Sequence, residues 1–283
     1  MRIIEKAGEM QQQAEIWRQK GKRIVFVPTM GYLHQGHLEL LRHARGVGDI
    51  VVLSIFVNPV QFGPAEDLER YPRDLERDKK LAEGAGVDVI FAPKAEDMYP
   101  AGYQTYLKVS NITQFLCGQS RPGHFCGVAT VVAKLFNIVK PHAAVFGEKD
   151  FQQLVVIRRM ACDLNMDVEI IGHPIVREAD GLAMSSRNVY LSSEQRRDAL
   201  RLSKSLHEAQ ALVAQGEDRG EAIIHRVREI LEKDRGVRID YVQLREPENL
   251  NEVIHVKAPT LLAIAAYVGV TRLIDNCILS PPS

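Results

Sequence analysis

Cysteine and net charge are both scarce in this chain, and each shortage excludes something. Cys117, Cys126, Cys162 and Cys277 are the four cysteines among 283 residues, and their spacing suits neither a zinc site nor a disulfide framework. They read as reduced thiols, with no structural metal implied. Lysine plus arginine number 36 and aspartate plus glutamate 36, a balance that gives no electrostatic case for nucleic acid or a membrane surface. The apolar run Leu261 to Val270 is too short to span a bilayer, and Met1-Arg2-Ile3-Ile4-Glu5 lacks the pattern of a signal peptide. A cytoplasmic location is expected. No internal repeat or low-complexity segment is present.

With 46% apolar residues, the chain has the composition of a globular protein long enough for a large core and more than one domain. From Arg23 to Gly172, short β-branched runs alternate with helical patterns, as a parallel sheet with crossover helices requires. Strands are expected at Ile24 to Val27, Ile50 to Val57, Val87 to Phe91, Ala143 to Phe146 and Val168 to Ile171. Helices are expected at Leu38 to Arg45, Arg73 to Gly84, Gly127 to Val139 and Phe151 to Leu164. The fold class is α/β: a Rossmann-like, doubly wound parallel sheet over residues 1–175, with a smaller α+β domain over 176–283. In that second part Ser192-Ser193-Glu194-Gln195 has the form of a capping box, with Leu202, Leu206, Ala209 and Val213 following at helical spacing. A second helix is expected near Glu221 to Lys233, and two strands at Ile239 to Leu244 and Leu261 to Val268.

The most informative stretch is Pro28-Thr29-Met30-Gly31-Tyr32-Leu33-His34-Gln35-Gly36-His37, between the first of these strands and its helix. A strand that turns through glycines into a helix leaves backbone N–H groups aimed at one point, where the helix dipole favours an anion. Phosphate is the expected guest. His34 and His37 fall on one helical face, and Gly36 lets the backbone approach closely. The bland alternative is a pair of solvated surface histidines, and position at the carboxyl end of a strand favours the functional one.

Three other places carry candidate chemistry. Gly147-Glu148-Lys149-Asp150 repeats the strand-to-helix logic, with Lys149 suited to phosphate and Asp150 to ribose hydroxyls, although Asp150 followed by Gln153 also fits a plain capping pattern. Met184-Ser185-Ser186-Arg187 offers two hydroxyls and a guanidinium to a polyphosphate, or is an ordinary serine-rich loop. Gln61 and Gln153 suit a small substrate bearing hydroxyls and a carboxylate, or are solvated amides. Asn58 to Pro72 reads as a long loop, either a lid or a surface excursion.

Taken together these blocks resemble the pantothenate synthetases, the pantoate–β-alanine ligases within the HxGH nucleotidyltransferase superfamily. The resemblance rests on Val27 to His37, Ser54 to Phe62, Arg121-Pro122-Gly123-His124-Phe125, Phe146 to Gln153 and Asp180 to Asn188, in order. It implies ligation of pantoate to β-alanine with ATP and Mg²⁺, through a pantoyl adenylate, in a homodimer. It further implies ATP contacts from Met30, Gly31, Tyr32, Leu33, His34, Gln35, Gly36 and His37, with His37 as proton donor and His34 at the phosphates. Gly147, Glu148, Lys149 and Asp150 would also hold ATP, with Val176 at the adenine and Met184, Ser185, Ser186 and Arg187 at the polyphosphate. Gln61 and Gln153 would hold pantoate, with Gln61 also bordering β-alanine. Asp78 is a candidate Mg²⁺ ligand, and His124 and Cys126 receive no role. The rivals are a relative that transfers AMP to another acceptor, including an aminoacyl-tRNA synthetase relative, and a nucleotide sensor without turnover.

Overall fold

The computed structural model describes residues 1–64 and 66–282. In chain order its elements are β1 (Arg2–Ile4), α1 (Ala7–Gln19), β2 (Ile24–Thr29), α2 (Gln35–Val47), β3 (Ile50–Ile55), α3 (Leu75–Gly84) and β4 (Val89–Phe91). One-turn helices α4 (Ala95–Met98) and α5 (Cys117–Ser120) precede α6 (His124–Val139), β5 (Ala143–Gly147), α7 (Phe151–Asp163) and β6 (Glu169–His173). The remainder is α8 (Ser193–Ala214), α9 (Gly220–Leu231), β7 (Val237–Arg245), β8 (Thr260–Val268) and β9 (Thr271–Leu279).

The chain folds into two compact units. The first contains Met1–Ser110, Arg121–Glu148 and Val156–Pro174; the second contains Asn111–Ser120, Lys149–Val155 and the stretch from Ile175 onward. The first unit holds a six-stranded sheet in the order β1-β4-β3-β2-β5-β6, with every pairing parallel. Strand order reverses at β2, which pairs with β3 on one side and β5 on the other. In an open α/β sheet, ligands bind outside the carboxyl ends of the strands at that reversal. The residues leaving β2 and β5 are Met30 to His37 and Glu148 to Asp150.

Burial explains why these strands form. Ile24, Val25, Phe26 and Val27 are all fully buried, as expected of a strand covered on both faces. Leu33, Leu38, Leu41 and Ala44 join Val25, Val27 and Leu53 in one cluster, so the apolar side of α2 clamps the exit from β2 against the sheet. Helix α6 is buried over most of its length.

Two departures from the expected elements have physical reasons. The β1–α1 pair was not anticipated: β1 is only three residues long, and α1 is mostly polar, with Met10 and Ala14 its buried side chains. The second unit has three antiparallel strands, in the order β7-β8-β9, rather than two. Strand β9 hides from an apolar pattern because two of its buried residues are Asp275 and Asn276. Arg177 pairs with both oxygens of Asp275, at 2.7 and 3.0 Å, which lets a carboxylate occupy that inner position. The capping box at α8 is present in both directions, Gln195 N–H to Ser192 Oγ at 3.2 Å and Ser192 N–H to Gln195 Oε1 at 3.0 Å.

Ile264 is fully buried in the central strand β8 and belongs to the cluster formed by α8, α9 and the sheet. Ile264→Ala is expected to lower the unfolding free energy by about 2–5 kcal/mol. Urea unfolding followed by circular dichroism measures it, and a midpoint unchanged from the parent would contradict that packing.

Candidate functional site

The exit from β2 is shaped by backbone hydrogen bonds to internal acceptors. Thr29 Oγ donates to Ser54 O at 2.8 Å and accepts the Gly31 N–H at 3.2 Å. Gly31 and Tyr32 both adopt left-handed backbone, at φ of 81° and 51°. A Cβ at Gly31 would lie 2.8 Å from Ile55 Cγ2 and 3.0 Å from Asp78 Oδ2, so glycine is needed for space as well as conformation. The Tyr32 and Leu33 N–H groups donate to Asp78 Oδ2 and Oδ1, each at 2.7 Å. Burial pushes the Asp78 carboxyl above its usual range, against the opposing pull of these two amides. The His34 N–H donates to His37 Nδ1 at 3.3 Å, and the two imidazoles stack with centroids 3.9 Å apart.

The expected cradle is therefore narrower than the sequence suggested. The amides of Gly31, Tyr32, Leu33 and His34 all have internal acceptors and the His37 N–H meets the His34 side chain in a capping box, which leaves Gln35 and Gly36 in the first turn of α2 as the backbone part that can face an anion. His37 Nδ1 must keep its lone pair to accept from His34. The neutral ring then carries its proton on Nε2, and Nε2–H is the group it can offer outward.

Gln61 ends a single 3₁₀ turn, Pro59–Gln61, capped by Asn58. Asn58 Nδ2 donates to Gln61 Oε1 at 3.1 Å and to Gly127 O at 3.2 Å, while the Tyr99 hydroxyl donates to Asn58 Oδ1 at 2.8 Å. Burial pushes the Tyr99 hydroxyl well above its usual range, so it stays a donor. Gln61 Nε2 lies 3.1 Å from Met30 Sδ, which joins this turn to the β2 exit. Sulfur is a weak acceptor, so a ligand oxygen could replace it there. The Gln61 carbonyl also meets His124 Nδ1 at 2.9 Å. Asn58, Tyr99, His124 and Gly127 were not among the expected site residues. The Asn-Pro step was the available signal, since asparagine readily caps a turn that starts with proline.

Beyond Gln61, Arg121 holds Glu66 through two nitrogens, at 2.7 and 2.6 Å. Arg73 ties Leu68 O and Tyr71 O at 2.9 and 3.0 Å. Burial raises the Glu66 carboxyl, but Arg121 outweighs it and holds the group below the usual range.

Within the second unit, Lys149 and Asp150 lie on a 3₁₀ turn, Glu148–Asp150, that leads into α7. Lys149 Nζ is 4.0 Å from Asp150 Oδ2, and Lys149 O accepts from Asn276 Nδ2 at 3.0 Å. Gln153 is half-buried, while its neighbour Gln152 is buried and donates to Ile112 O and Phe115 O at 2.8 and 2.7 Å. Val176 O accepts the Met184 N–H at 3.0 Å across a small hairpin that turns at Gly181. Ser185 caps the 3₁₀ helix Ser186–Tyr190, its Oγ accepting Arg187 N–H at 3.2 Å. Asn188 donates to Glu178 Oε1 at 2.6 Å, and Arg196 bridges Glu178 and Asp180 at 2.5 and 2.8 Å. The serine-rich stretch is thus a pinned turn.

The sequence model described as pantoate-beta-alanine ligase matches residues 2–278. The chain belongs to the pantoate-beta-alanine ligase family. It is 64% identical over 281 residues to the pantothenate synthetase of Syntrophobacter fumaroxidans, covering 99% of each chain. It is also similar to the solved pantothenate synthetase of Thermus thermophilus, at 46% identity and a TM-score of 0.94, over 99% of this chain and 100% of that one. A third similar structure is the pantoate-beta-alanine ligase of Francisella tularensis, complexed with beta-gamma ATP and beta-alanine. That likeness has 33% identity and a TM-score of 0.79, over 98% of this chain and 97% of that one.

Asp78, expected as a candidate metal ligand, anchors the loop, each of its oxygens accepting a short backbone bond. Among the described residues no cluster of three or more His, Cys, Asp or Glu side chains is arranged to hold a metal ion. The cysteines take no part in the geometry around His37, and burial pushes the Cys277 thiol up to about 12, keeping it protonated.

Gly127 packs on the turn that carries Gln61: a Cβ there would lie 2.6 Å from Gln61 Cα and 2.6 Å from Val60 O. Gly127→Ala is expected to destabilise by about 1–3 kcal/mol, read as a lower urea midpoint, with unaltered stability counting against the contact. A second expectation concerns acid. Because the folded Glu66 carboxyl is held low, its contribution is complete above the unfolded value of about 4.3 and is lost as pH falls through the folded value. Proteolysis between residues 62 and 73 should accelerate below about pH 4, and Glu66→Gln should remove that dependence.

Proposed function

We propose that this ligase condenses pantoate with β-alanine, coupled to cleavage of ATP to AMP and pyrophosphate, through a pantoyl adenylate. The observation that carries the reading is the family match over residues 2–278, with every position expected to act on ATP or substrate filled by a suitable residue. In the first half-reaction a pantoate carboxylate oxygen attacks the α-phosphorus, and the bond to the bridging oxygen breaks as pyrophosphate leaves. In the second, the neutral amine of β-alanine attacks the acyl carbonyl, the C–O bond to AMP breaks and the amine loses a proton. A free carboxylate resists amine attack; the mixed anhydride does not, because AMP leaves readily.

The roles follow from the chemistry each group can supply. His37 offers Nε2–H to a phosphate oxygen where negative charge grows, and Lys149 offers a fixed positive charge for the same purpose. His34 stacks on His37 and joins it at the phosphates. Within Met30 to His37, the first-turn amides and imidazoles make the anion contacts, while Gly31, Tyr32 and Leu33 shape the loop. Asp150 accepts from the ribose, Val176 meets the adenine through its backbone, Gly147 and Glu148 border the nucleotide, and Met184, Ser185, Ser186 and Arg187 hold the polyphosphate. Gln61, with Oε1 held by Asn58, turns its Nε2 end to pantoate and borders β-alanine; Gln153 completes the pantoate contacts. Mg²⁺ arrives with the nucleotide as Mg-ATP, a reading that fits an ion which keeps its waters and leans on phosphate oxygens.

Residues 1–175 serve as the ATP- and pantoate-binding domain and 176–283 as the smaller C-terminal domain of a cytoplasmic homodimer. The loop after Gln61 acts as a lid that keeps water from the adenylate. Among the described residues no helix is long and apolar enough to cross a membrane.

The deciding assay follows pyrophosphate release from Mg-ATP with pantoate alone, then AMP and pantothenate once β-alanine is added. Pantoate-dependent pyrophosphate is expected; ATP binding without release would return the sensor and alternative-acceptor readings. His37→Ala and Lys149→Ala are each expected to slow adenylate formation by about 100-fold or more with the fold intact. Turnover near the parent rate in both would defeat these assignments.

A further inference from the structure

The Gly31–Tyr32 turn is held by a group the ligation chemistry does not call for. Asp78 lies on α3 and is almost completely buried. Its two oxygens take one amide each, from Tyr32 and Leu33, at 2.7 Å. The turn points the neighbouring Tyr32 and Leu33 N–H groups toward one carboxylate, and such a turn of converging amides is a concavity that binds anions. In a nucleotide-binding loop the natural occupant is a phosphate oxygen. Here a carboxylate from the same chain occupies it. Arg77, next to Asp78, lies 5.0 Å over the Tyr32 ring and 3.7 Å from Asp78 Oδ1, so the left-handed tyrosine is also held from its side-chain end.

We infer that Asp78 is a positioning residue for the His34–His37 pair, an internal anion that sets the phosphate-binding loop before ATP arrives. The link is short. Leu33 N–H is fixed by Asp78, the next amide, that of His34, donates to His37 Nδ1, and this bond stacks the rings and directs the His37 proton to Nε2. By filling the concavity, Asp78 also keeps nucleotide phosphates off the Tyr32 and Leu33 amides and leaves them the imidazoles and the first turn of α2. Loss of the carboxylate frees two adjacent amides and lets a phosphate settle in the wrong place. An asparagine cannot substitute: its amide accepts at one oxygen and presents N–H groups to the second donor. A glutamate keeps the charge but shifts both oxygens by one methylene.

The inference rests on the proposed ligation, and its test keeps the two apart. Adenylate formation is measured as pantoate-dependent pyrophosphate release for the parent, Asp78→Asn and Asp78→Glu. In parallel, ¹⁵N-histidine spectra of the full-length proteins report the His37 tautomer without any need for turnover. Asp78→Asn is expected to lower kcat about 100-fold, a loss typical of misplacing a reacting group by about 1 Å, with the KM for pantoate little changed. The His37 ring should lose its fixed Nε2–H form, and the Mg²⁺ dependence should match the parent. If Asp78→Asn fails to fold, Asp78→Glu is read in its place for the same kcat loss and the same spectral change.

Restoration of either variant by excess Mg²⁺ would make Asp78 a metal ligand and overturn the inference. Parent-like kcat in a folded variant, or an unchanged His37 tautomer, would overturn it as well. A parent enzyme that releases no pyrophosphate would instead defeat the ligation reading, and the histidine spectra would still decide the role of Asp78.

Discussion

A strand buried on both faces must satisfy its backbone as soon as it leaves the sheet, and the candidate site depends on how β2 does so. Fully buried residues run from Ile24 to Val27, and the chain then has to reach a helix on the flank of the sheet within a few residues. Left-handed backbone at Gly31 and Tyr32 makes the reversal, and side chains from elsewhere in the same unit take up the amides it turns inward. The histidines follow immediately, so their positions are inherited from the way the turn is closed.

The same logic extends to Gln61. A single asparagine caps its turn, fixes its amide and ties it to α6, while a tyrosine kept neutral by burial fixes the asparagine. Both parts of the first unit's candidate site are thus short chains of hydrogen bonds that end on a group proposed to meet substrate. Such arrangements reduce the reorganisation required when charge develops, which is the source of most electrostatic catalysis.

Much of the parallel sheet was legible because its strands are continuous apolar runs, and the capping box of α8 was legible because both of its partners lie within four residues. Legibility ended where the partner was distant or polar. Nothing local to Tyr32 announces that its amide belongs to Asp78, so the glycine turn read as an open phosphate cradle. Asp78, read alone, looked like a carboxylate for a metal. Strand β9 was missed for a related reason: Asp275 is acceptable inside only because Arg177, far away in sequence, pairs with it. Motif reading singled out the histidines, the lysine and the serines as candidates, while Asn58, Tyr99 and Gly127, which hold the Gln61 turn, became apparent only with the fold.

The bond between Asn276 and the carbonyl of Lys149 has a bearing on biosynthesis. The two residues are 127 positions apart, and the donor lies in β9. On the ribosome, Lys149 therefore emerges long before the side chain that fixes its backbone. A nascent chain could form the β2 exit early and yet hold the lysine in place only after residue 276 has been released and β9 has docked. The anchor of the Lys149 backbone is thus a late event in synthesis, whereas the hydrogen bonds that close the β2 exit join residues made much earlier.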